Sequence, residues 1–66
     1  MIGAMPVGSL VRVIREPMAK GIRKGELYRV TYENNNYINI QPIVIRSDWS
    51  KEFERGWYKD RFEKVA

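Results

Sequence analysis

Apolar and polar residues alternate with period two along most of this chain, and that rhythm predicts strands. In Leu10-Val11-Arg12-Val13-Ile14-Arg15, Val11 and Val13 fall on one face while Leu10, Arg12 and Ile14 fall on the other. The β-branched content favours a strand, and Glu16-Pro17 ends it because proline has no ladder donor. Residues 16–25 predict a loop punctuated by Gly21 and Gly25, long for a hairpin connection and therefore a natural place for function. The clearest strand is Glu26-Leu27-Tyr28-Arg29-Val30-Thr31-Tyr32, with Tyr28, Val30 and Tyr32 expected on one face and Leu27, Arg29 and Thr31 on the other. Asn34-Asn35-Asn36 predicts a hairpin turn, since asparagine tolerates the left-handed backbone. Tyr37-Ile38-Asn39-Ile40-Gln41 alternates again, with Ile38 and Ile40 inward and Pro42 at an edge or end.

The pattern weakens in the second half. Ile43-Val44-Ile45 is expected to continue or restart a strand. Residues 46–56 read as a polar loop holding Trp49 and Phe53, with one helical turn starting near Ser47 or Asp48. Trp57-Tyr58 predicts a short strand, Tyr58-Lys59-Asp60-Arg61 a 3₁₀ turn, and Phe62-Glu63-Lys64-Val65 a closing strand contacting the core through Phe62 and Val65. Five short strands in 66 residues make an all-β domain, and closure into a small barrel would remove exposed edges. The expected organisation is one domain over residues 1–66, with 1–6 as a flexible N-terminus.

The residue order carries a resemblance. Val7-Gly8-Ser9-Leu10-Val11-Arg12-Val13-Ile14, the Gly-bearing loop, Gly25-Glu26-Leu27-Tyr28-Arg29-Val30, the Asn turn and Tyr37-Ile38-Asn39-Ile40 are followed by Gly56-Trp57-Tyr58-Lys59-Asp60-Arg61-Phe62-Glu63-Lys64-Val65. Together they resemble the small SH3-like barrel proteins encoded by bacteriophages and prophages, over roughly residues 7–65. The resemblance implies a five-stranded SH3-like barrel, a phage origin and work in the host cytoplasm. It does not imply one activity, because relatives of this barrel bind nucleic acids, proteins or peptides. The first long loop is basic here, where peptide-binding SH3 domains carry an acidic cluster, so a proline-rich ligand is not expected.

Composition removes several function classes. With no Cys and no His there is no disulfide, no thiolate or imidazole metal site and no histidine acid–base catalyst. A non-catalytic binding module without cofactor is the expectation. The core must come from apolar packing, and 44% hydrophobic residues supply it. The lack of Cys fits a cytoplasmic protein. No signal peptide and no membrane span are expected, because the longest apolar runs are a few residues. Asp48, Glu52 and Glu54 lie close enough to hold a hard cation, but Lys51 and Arg55 sit among them and the glycine spacing of a calcium loop is missing, so a solvated loop is the better reading.

Charge separates the two halves. Residues 1–30 carry six bases (Arg12, Arg15, Lys20, Arg23, Lys24 and Arg29) against two acids, and residues 31–66 carry six against six, so the whole net charge of +4 lies in the first half. Such asymmetry points to an acidic partner, and those six bases with Tyr37 are the candidates for a nucleic-acid surface. A second use competes with it. Trp49, Phe53, Arg55 and Tyr58 form the kind of aromatic and arginine set that anchors protein interfaces, here to bind or inhibit a host protein, unless Trp49 and Phe53 fold back over the end of the barrel. Core packing is the reading for Tyr28, Trp57 and Phe62, whereas Tyr37, Trp49 and Tyr58 admit both uses. Assembly into a homo-oligomer through strand edges, limited by Pro17 and Pro42, is a third possibility.

Overall fold

The computed structural model describes residues 3–15 and 21–66. Five strands follow in order: β1 (Leu10–Val13), β2 (Leu27–Glu33), β3 (Tyr37–Pro42), β4 (Trp57–Tyr58) and β5 (Phe62–Lys64). They pair antiparallel in the order β4-β3-β2-β1-β5. The two edges, β4 and β5, are adjacent in sequence and joined by a 3₁₀ turn, Lys59–Arg61. A second 3₁₀ turn, Lys51–Glu54, starts where the Ser50 hydroxyl accepts the Glu52 N–H, later than the expected start near Ser47 or Asp48.

The inner face is the expected one at its centre. Val11 and Val13 of β1, Tyr28 and Val30 of β2, Ile38 and Ile40 of β3, Trp57 and Phe62 form one buried cluster. Burying such a side chain stabilises by about 1.5–3 kcal/mol, so this cluster supplies most of the stability of a chain without cross-links. Two further members come from outside the strands. Ile22 enters from the long loop, and Met5 enters from the stretch expected to be a flexible leader. Met5 is also tied by its backbone, whose N–H donates to the Glu33 carboxylate at 2.6 Å.

Four expectations give way here. Tyr32 does not share the face of Tyr28 and Val30. The register between β2 and β3 shifts between Val30 and Tyr32, so Tyr32 pairs with Asn39 and Glu33 with Ile38. An extra residue in one strand reverses the alternation beyond it, which turns Tyr32 outward and Glu33 inward. The Asn turn does not use a left-handed asparagine, since no described residue other than glycine has a positive φ. Instead the Asn34 side-chain oxygen accepts the N–H groups of Asn36 and Tyr37 at 2.9 and 2.8 Å, standing in for a backbone carbonyl. Ile43-Val44-Ile45 forms no strand and is exposed. Val65 lies exposed beyond β5, and Phe62 alone of that pair reaches the core.

Candidate nucleic-acid interface

The face of the sheet opposite the core carries the side chains that alternate out of each strand. On β1 these are Leu10 and Arg12, and register sets them beside Arg29 and Leu27 of β2. Arg12 and Arg29 therefore project from one surface on neighbouring strands, as the alternation predicts. Register carries the surface on, with Arg29 opposite Gln41, Tyr32 opposite Asn39 and Tyr37 opposite Tyr58 of β4. The result is a continuous outward face, basic across β1 and β2 and aromatic across β2, β3 and β4.

The aromatic end has defined geometry. The rings of Tyr37 and Tyr58 are 4.8 Å apart at an interplanar angle of 35°, and the Tyr37 hydroxyl donates to that of Tyr58 at 3.4 Å. Tyr32 stands diagonally across the ladder, a separation that aromatic side chains bridge. Tyr32 and Tyr58 are 49% and 52% exposed, large values for rings that a domain this small needs in its core. The Tyr37 hydroxyl is held above its ordinary pKa, first by the hydrogen bond to Tyr58, then by the repulsion between two neighbouring phenolates and by partial burial. Tyr37 thus stays neutral at physiological pH.

The basic end is held in place rather than loose. Arg29 donates to the Gly8 carbonyl at 2.8 Å, which fixes its guanidinium over the start of β1. Arg12 lies 3.7 Å from Glu63 across the β1–β5 ladder, both half exposed, an arrangement that leaves donors for a stronger anion. The other predicted bases scatter. Arg15 pairs with Asp60 at 3.6 Å beyond the end of β1. Arg23 and Lys24 are exposed in the turn before β2, and Lys20 lies outside the described residues.

The second predicted site comes apart in the fold. Trp49 is partly buried against the core, 5.6 Å from the Tyr28 ring and 5.5 Å edge-on from Phe53. Its indole N–H donates to Glu54 at 2.9 Å. Phe53 lies over Gly21, where a Cβ would stand 2.5 Å from its ring, and Gly21 has φ +119°. Trp57 donates its indole N–H to the Phe53 carbonyl. Trp49 and Phe53 therefore fold back over the core, Arg55 is exposed, and Tyr58 joins Tyr37 on the outer face.

Two charge networks escape a reading by sequence distance. Arg46 reaches both Glu26 carboxylate oxygens at 3.2 Å, donates to the Gly21 carbonyl and lies 5.4 Å from the centre of the Trp49 ring. Glu26 also accepts the Tyr28 hydroxyl at 2.9 Å. Burial, and then this hydrogen bond, raise the Tyr28 pKa well above its usual value. Lys59, nearly buried, pairs with Glu33 at 2.8 Å. The Lys59 hydrogen bond and the Met5 N–H hold the Glu33 carboxyl below its ordinary value. Of the suggested cation ligands, Asp48 faces Arg46 at 3.3 Å and Glu54 accepts from Trp49. Among the described residues, no three carboxylates gather where a metal could sit.

Comparison with family models, with curated proteins and with solved structures returned no match. No helix among the described residues is long and apolar enough to cross a membrane.

Proposed function

We propose that this chain is a non-catalytic module that binds single-stranded nucleic acid through the outer face of its sheet. The observation that carries the reading is the outward group of exposed Tyr32 and Tyr58 with half-buried Tyr37 between them, continuous on one surface with Arg29 and Arg12. Tyrosine faces give bases a stacking platform, and neighbouring guanidiniums meet the phosphates between them. Stacking needs an open base face, which a paired base inside a duplex does not offer. The fold that goes with this reading is an SH3-like barrel, supported by edge strands β4 and β5 joined through one 3₁₀ turn of three residues. The resemblance described above favours a phage origin and action in the host cytoplasm.

Fluorescence anisotropy with labelled single-stranded DNA, single-stranded RNA and a duplex of the same length, at two salt concentrations, tests the function. Single strands bind in the micromolar range, more tightly than the duplex, and binding weakens as salt rises because phosphate contacts release counterions. Replacing both Tyr37 and Tyr58 by Ala weakens binding by about 1–3 kcal/mol per base lost from the stack. No binding at low salt, or equal binding by the double variant, would overturn the proposal.

A further inference from the structure

The far end of β3 from Tyr37 carries a different surface. Ile43, Val44 and Ile45 follow Pro42 and are 46%, 77% and 82% exposed. Three consecutive branched aliphatics in water are costly for a domain with a small core, and their burial against something would recover that cost. They do not stand alone. Ile43 and Val44 line an open cleft of about 440 Å³ with Leu27 and Pro42, and Glu26 and Arg46 form its polar wall.

We propose that this cleft and ledge dock an acidic, aliphatic-bearing peptide segment of another protein. Charge decides the partner's chemistry. The one acid lining the cleft, Glu26, is already engaged by both of its oxygens with Arg46. The approaches are basic: Arg23 and Lys24 are exposed in the turn that leads into Gly25 and Glu26. A segment with carboxylates flanking aliphatic anchors satisfies both features. A second copy of this chain would set the same cations against one another across a two-fold interface. Nucleic acid finds no exposed ring here to stack on, since the aromatic residue of the cleft, Tyr28, is buried. The site lies roughly 17 Å from Tyr37, at the usual rise of a strand along β3, so it is distinct from the outer tyrosine group and its failure would leave that reading intact.

A displayed library of random dodecapeptides selected on the intact chain tests this, with the selected peptides remeasured by anisotropy. Selected sequences are enriched in Asp or Glu together with Leu, Ile or Val. Their affinity falls about tenfold or more for the V44S/I45S double variant and several-fold for K24E, with oligonucleotide binding by the double variant unchanged. Both substitutions lie at exposed positions outside the core, and a thermal melt confirms that the variants fold. Failure to select any peptide, selection of basic sequences, or equal binding by the double variant would overturn the proposal. So would sedimentation showing a dimer of the unaltered chain that V44S/I45S returns to monomer, because a second copy would then be the occupant.

Discussion

The inner and outer aromatics of this sheet are the same kinds of residue in opposite circumstances. Tyr28, Trp49 and Trp57 lie on or against the core, and each polar tip has a partner: Glu26, Glu54 and the Phe53 carbonyl. Tyr32, Tyr37 and Tyr58 stand on the solvent side, where the hydroxyls of Tyr37 and Tyr58 meet only each other among the hydrogen bonds described. A buried ring with its polar atom satisfied does structural work. Rings on the solvent side of the sheet, two of them about half exposed, stabilise the fold little, and the proposed function gives them a ligand to meet.

That contrast has measurable consequences. Tyr28→Ala removes a ring at the centre of the core and costs about 3–5 kcal/mol in urea unfolding, a large share of what a small domain holds. Tyr58→Ala, on the outer face, changes unfolding by less than about 1 kcal/mol while lowering oligonucleotide affinity. Equal destabilisation by the two variants would erase the distinction between the groups. Asn34→Ala removes two side-chain hydrogen bonds that shape the β2–β3 turn, and it lowers stability by about 0.5–1.5 kcal/mol in the same assay. It also weakens oligonucleotide binding indirectly, since that turn positions Tyr37.

A smaller effect concerns why Tyr32 belongs to the outer group. The β2 bulge turns Tyr32 out and Glu33 in, and Glu33 is pinned there by Lys59 and the Met5 N–H. The Glu33 carboxyl titrates below the 4.5 of an ordinary glutamate, so its contribution is present above that pH and is lost as pH falls through the depressed folded value. Thermal melts across the acid range show stability declining on the acid side of 4.5, with Glu33→Gln less stable at neutral pH and less sensitive to acid. An acid limb identical in the variant would mean that the pin contributes nothing.

Much of the fold was legible along the chain because period-two alternation is a local property. Val11, Val13, Tyr28, Val30, Ile38 and Ile40 announce their burial by spacing, and Arg12 and Arg29 their exposure. The outward placement of Arg12, Arg29 and Tyr37, on which the proposed binding face rests, followed too, since they occupy the outward phase of their strands. Tyr32 did not follow: one bulged residue reverses the phase, and no local pattern marks it. Nor did the separation of Tyr58 from Trp49 and Phe53, because nearness in sequence says nothing of which side of the sheet a ring reaches once β4 pairs with β3.

Composition and alternation alone established an all-β chain whose core has no cross-link, carrying its excess positive charge in the first thirty residues. Those properties depend on residue identity and on the two-residue repeat of a strand, both of which can be read without folding the chain. Tertiary structure alone set Arg46 against Glu26, Lys59 against Glu33 and Tyr58 against Tyr37, and left Ile43, Val44 and Ile45 in water. These partners are some twenty or more residues apart in sequence. What brings them together is strand register and the burial of a shared core, and both belong to the whole chain.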